Sequence, residues 1–96
     1  MDAMPKKTEA KEKILRVWHI PQVPGKAFHV PVKSPREGAL LLKVLASYDI
    51  FQFENRIKPD FCNAGGLEVC EDGVWCEWED ESGLSIDEVS GTLLGI

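Results

Sequence analysis

The sequence predicts an α+β domain: a β-hairpin, one main helix and a second β-hairpin, with the strands in a four-stranded antiparallel sheet and the helix packed on one face. Three observations lead there. Residues 14–20, ILRVWHI, alternate and are rich in β-branched and aromatic side chains. A Ser-Pro-Arg-Glu start at 34–37 opens a long apolar run at helical spacing. Asp72-Gly73 divides two further alternating runs, a strong signal for a two-residue hairpin turn.

In the first strand Leu15, Val17 and His19 share one face, and Ile14, Arg16, Trp18 and Ile20 the other. PQVPG (21–25) breaks the strand, because its prolines cannot donate to a ladder and Gly25 permits a bend. AFHVPV (27–32) then alternates again, and Pro31 argues for an edge position.

Ser34 suits an N-cap, Pro35 suits the first helical position, and Glu37 stands where it can reach back to the cap. Apolar residues at 40, 41, 44, 45, 48 and 51 make one face of a helix expected over 35 to about 48. RIKPDFCNAGG (56–66) reads as a loop. In the second hairpin a two-residue turn sets Glu71 opposite Val74, Cys70 opposite Trp75 and Val69 opposite Cys76. Leu67, Val69, Val74, Cys76 and Trp78 then share an apolar face, with Cys76 as a small core residue, while Glu68, Cys70, Trp75 and Glu77 share the other. A turn at Ser82-Gly83 and a short helical turn near 85–89 follow. The expected organisation is a mobile charged arm over 1–13, one α+β domain over 14–90 and a weakly ordered tail over 91–96.

The 96 residues carry 11 Lys and Arg, 16 Asp and Glu, and a net charge of −5. The charge is divided along the chain. Through Lys58 there are 11 basic and 6 acidic residues, a net of +5; from Pro59 onward there are 10 acidic residues and no basic one. An acidic block of this kind solubilises a small protein or meets a basic partner. The dispersed cations of the first half and the acidity of the second argue against direct binding to duplex DNA. The longest apolar run, 39–42, is far too short to span a membrane, and the charged N-terminus lacks a signal-peptide core, so the expected location is cytoplasmic.

No metal site is expected. Cys62, Cys70 and Cys76 are eight and six residues apart, without a C-x-x-C pair, and the register sends Cys70 and Cys76 to opposite faces of the sheet. DESG at 80–83 resembles part of a calcium loop, but that alignment puts Trp78 and Val89 at ligand positions. Cys62, near Arg56 and Lys58 in sequence, is the thiol best placed for reactivity, yet no base stands beside it. No catalytic residue and no cofactor is assigned, and a non-enzymatic protein is expected.

Two stretches, VWHIPQVPGKAFHVPV (17–32) and LLLKVLASYDIFQFENRIKPDFCNAGGLEV (40–69), followed by DGVWCEW, resemble a family of small proteins of tailed phages and prophages labelled superinfection exclusion proteins. The resemblance covers roughly 14–80 and brings no catalytic residue with it. It implies a phage or prophage accessory protein that acts by binding a phage or host protein, in superinfection exclusion or host takeover.

The expected contact surface is the outer face of the second hairpin, Glu68, Trp75 and Glu77, with the acidic run Glu79, Asp80 and Glu81. Trp75 would anchor a basic partner that the carboxylates steer. The opposing arrangement, equally open from sequence, packs Trp75 under the loop 56–66. The alternative function is sequestration or inhibition of a host defence component or nucleotide signal, with Asn55, Arg56, Lys58 and Asn63 lining an anion-binding loop. A small sheet with free edges also allows a homodimer.

Overall fold

The computed structural model describes residues 14–57 and 62–95; the arm over 1–13 and Lys58 lie outside them. In chain order the elements are β1 (Ile14–Ile20), β2 (Phe28–Val32), α1 (Pro35–Glu54), β3 (Ala64–Glu71), β4 (Val74–Glu77) and α2 (Ile86–Leu94). The strands form one four-stranded antiparallel sheet in the order β2-β1-β3-β4. Pro31 sits on an edge strand, where a missing N–H is tolerated. The two hairpins are joined through the long pairing of β1 with β3, which runs from Ile14 opposite Cys70 to Ile20 opposite Ala64.

The second hairpin has the expected register, with Glu68 opposite Glu77, Cys70 opposite Trp75 and Glu71 opposite Val74. Asp72 (φ 54°) and Gly73 (φ 81°) both adopt left-handed backbone, as a type I′ turn requires. The Trp78 N–H extends the pairing to the Leu67 carbonyl at 2.9 Å.

Helix α1 starts where expected. The Glu37 N–H donates to Ser34 Oγ at 3.1 Å, and Pro35 occupies the first turn. The Glu37 carboxylate accepts from the Lys33 N–H at 2.6 Å, one residue ahead of the cap nitrogen a capping box would use. The helix also runs beyond 48, through Glu54, because no Gly or Pro interrupts IFQFE; Asn55 then caps it.

The packed face of α1 differs from the apolar stripe read in the sequence. Gly38, Ala39 and Asp49 are its buried residues, with Leu41, Leu42 and Leu45 half-buried against the core. Leu40, Val44, Tyr48 and Phe51 are 47–55% exposed. Small residues displace large ones at the interface because the helix lies close to the sheet. A Cβ on Gly38 would sit 3.0 Å from Leu67 Cδ1 and 3.6 Å from Val17 Cγ2. The core is Leu15, Val17, Ala39, Leu67, Val69 and Ile86.

Two other expectations give way. The short helical turn expected near 85–89 is a nine-residue helix, α2, ending at Leu94 with Gly95 in the left-handed cap conformation. The Glu88 carboxylate accepts from the Ser85 N–H at 2.9 Å, and Ile86, Val89, Leu93 and Leu94 pack on the core, which orders the segment. Cys76, expected in the core, is exposed, as is Val74. Both helices pack on β3, but neither reaches β4.

Candidate functional site

The alternation of β1, β3 and β4 divides the sheet into two faces. Leu15, Val17, Leu67 and Val69 lie under the helices. Arg16, Trp18, Glu68, Trp75 and Glu77 occupy the face the helices leave uncovered.

On that face Arg16 organises the centre. Its guanidinium carbon stands 3.9 Å from the Trp75 ring centroid, a cation–π stack, and its Nε lies 2.8 Å from Glu68 Oε1. Trp75, one strand further out, is half-buried. Glu77 lies directly opposite Glu68 and is exposed; it makes no ion pair with a described residue. Arg16 thus answers one of two facing carboxylates and leaves the other open. The sequence grouped Glu68, Trp75 and Glu77 but missed Arg16. The signal was present, since Arg16 shares a strand face with Trp18, but the pairing of β1 with β3 that brings it to Glu68 spans 52 residues.

The acidic run beyond β4 is ordered rather than loose. Glu79 forms an isolated bridge with Ser85. Asp80 Oδ1 accepts from the N–H groups of Ser82 at 2.8 Å and Leu84 at 2.9 Å, and Gly83 (φ 83°) completes the turn. The Asp80 carboxylate is therefore committed within the turn, while Glu79 and Glu81 are exposed.

The four loop residues are used differently. Asn55 ends α1, with its Nδ2 donating to the Phe51 carbonyl at 2.9 Å. Arg56 is exposed in left-handed backbone, φ 62°. Asn63 turns inward, donating from Nδ2 to Asp49 Oδ2 at 2.6 Å.

That last bond belongs to a second polar cluster, under the helices, that sequence reasoning did not find. His19 Nε2 lies 3.0 Å from the same Asp49 oxygen, and both residues are buried, 4% and 2% exposed. His19 also meets Phe28 edge-on at 5.6 Å. A histidine alternating with Leu15 and Val17 on a core face was the available clue, since a buried imidazole needs a polar partner. Among the described residues, no three His, Cys, Asp or Glu side chains gather into a group able to hold a metal ion. No helix among them is long and apolar enough to cross a membrane.

A sequence model of the family described as superinfection exclusion gene product 17 matches residues 14–94. The chain is 45% identical over 80 residues to a superinfection exclusion protein of Salmonella phage P22, an alignment covering 70% of this chain and 78% of that one. No solved structure matches.

Proposed function

Because the chain belongs to the superinfection exclusion gene product 17 family, we propose that it serves superinfection exclusion as a non-enzymatic binding protein in the cytoplasm, and that its partner is a phage or host protein with a basic contact surface. The contact face is the helix-free side of the sheet around Trp75 and Glu77, extended by Glu79 and Glu81. One observation carries this reading: Trp75 is held against Arg16, Arg16 is paired with Glu68, and Glu77 beside them is exposed with no ion-pair partner among the described residues. A preorganised aromatic ring loses little entropy on binding, and an adjacent unpaired carboxylate steers a cationic partner to it.

The second reading, sequestration of a nucleotide signal by the loop of Asn55, Arg56, Lys58 and Asn63, has less support. Two of its members are committed elsewhere, Asn55 to the helix end and Asn63 to Asp49.

The test compares cells expressing the wild-type chain with cells expressing Glu77→Lys or Trp75→Ala. Plating efficiency of a superinfecting phage is measured alongside thermal melting of each purified variant. The expected result is a rise in plating of about tenfold or more for each variant, the equivalent of about 1.4 kcal/mol of lost binding, with little change in melting for Glu77→Lys and a loss of about 1 kcal/mol for Trp75→Ala, which also gives up the stack with Arg16. Unchanged plating with both variants would remove this face from the mechanism.

A further inference from the structure

On the helix side of the sheet, remote from Trp75, a depression of about 390 Å³ opens beside the buried cluster. Its walls include His19, Leu42, Asn63, Ala64, Gly65 and Asp87. The volume falls in the range of small-molecule pockets, about 300–1,000 Å³. We propose that this depression is a binding site for a guanidinium or alkylammonium group on an aliphatic stem.

Its chemistry follows from how the hydrogen bonds are already committed. Asp49 Oδ2 accepts from His19 Nε2 at 3.0 Å and from Asn63 Nδ2 at 2.6 Å. A carboxylate only accepts, so the proton of the imidazole sits on Nε2, and in the neutral ring Nδ1 presents a lone pair. His19 is 4% exposed; its Nδ1 makes no hydrogen bond with a described residue and is not among the fully buried unpartnered atoms, so the small exposed part of the residue includes this nitrogen. Gly65 stands opposite it in the neighbouring strand, where a Cβ would lie 3.0 Å from the Trp18 carbonyl oxygen, 3.1 Å from Leu42 Cδ2 and 3.4 Å from Nδ1. A side chain at position 65 would fill the space over the ring nitrogen; glycine leaves it open.

With the ring neutral, what remains for a ligand is a set of acceptors on the residues that line the depression: Nδ1 of His19, the amide oxygen of Asn63 and the exposed carboxylate of Asp87 at the first turn of α2. Such a set rejects anions and selects N–H donors, best of all cationic ones. Leu42, Ala46 and Ala64 supply an apolar wall for methylene groups. Lys43, the nearest cation along α1, lines the adjoining depression rather than this one. The same chemistry is carried by a free amine and by an Arg or Lys side chain of a protein.

The test is an NMR titration of the full isotopically labelled chain with two cationic probes, agmatine and the blocked peptide acetyl-Gly-Arg-Gly-amide. Glutarate serves as an anionic control. Saturable shifts of the His19 ring, Ala64 and Gly65 are expected with at least one cation and not with glutarate. Response to agmatine alone identifies a free amine as the source of the group; response to the peptide identifies a protein side chain. Asp87→Asn, an exposed change that leaves the buried cluster intact, is expected to weaken binding about tenfold, as loss of one charged partner of a cation does. His19→Gln, whose amide can still donate to Asp49 but which lacks a ring nitrogen, is expected to abolish it. Absence of a saturable shift with both cations, equal affinity in Asp87→Asn, or equal response to glutarate overturns the proposal.

Discussion

Replacing Asp49 by Ala tests how far the buried cluster holds α1 to the sheet. The substitution removes the acceptor shared by His19 and Asn63, and leaves an N–H of a ring that is only 6% exposed in its side chain without its partner. Removing one member of a buried hydrogen-bonded pair costs about 3–5 kcal/mol. The lower end, about 3 kcal/mol, is expected, because water in the adjoining depression can reach the imidazole. Against a total stability of about 5–15 kcal/mol for a natural domain, that is a large share. With a urea m-value of about 1–2 kcal/mol/M, expected for a small chain, the unfolding midpoint should fall by about 1.5–3 M. Tryptophan emission follows the transition. Asp49→Asn, which keeps one acceptor but adds two donors, should fall between wild type and Ala. The double variant His19→Leu with Asp49→Leu, which removes both partners, should lose less than the sum of its single changes. A loss under about 1 kcal/mol for Asp49→Ala, or single losses that simply add, would refute the view that the two side chains act as a unit.

Three smaller perturbations probe other parts of the fold. Ser34→Ala removes the acceptor for the Glu37 N–H and should lower stability by about 1 kcal/mol in urea unfolding. Gly73→Ala should lose about 1–2 kcal/mol in thermal melting although no atom lies within 4 Å of the new Cβ, because the whole effect comes from left-handed backbone at φ 81°. Arg16→Ala removes the stack on Trp75 and the bond to Glu68, and leaves Glu68 facing Glu77; a loss of about 1–2 kcal/mol is expected, with part of it restored by adding Glu77→Gln.

Much of the architecture was legible because it is local. Asp72-Gly73 set the register of the second hairpin, since the two-residue turn decides which side chains oppose and which faces they share. Pro31 marked an edge strand, and Ser34-Pro35 marked a helix start. The second helix was only half legible: the sequence showed a short turn near 85–89, and the full helix, opened by Ser85-x-x-Glu88, depends on core contacts made by Val89, Leu93 and Leu94. The candidate face was half legible. Strand alternation grouped Glu68, Trp75 and Glu77, whereas Arg16 arrives from a strand 52 residues away.

The sequence by itself determined the local elements: where chains turn, where a helix can begin, and which side of each strand a residue takes. These follow from backbone sterics and hydrogen bonding within a few residues. Only the tertiary structure decided which face of α1 is buried. Hydrophobicity pointed to Leu40, Val44, Tyr48 and Phe51, but close approach to Val17 and Leu67 selects Gly38 and Ala39, because packing rewards fit as well as apolarity. Only the tertiary structure joined β1 to β3. That pairing sets Arg16 against Glu68 and Trp75 on one side of the sheet, while α1 brings Asp49 to His19 on the other. Local sequence puts Arg16 and His19 on their strand faces but names the partner of neither, because the free energy that selects each pair is a property of surfaces meeting across the fold.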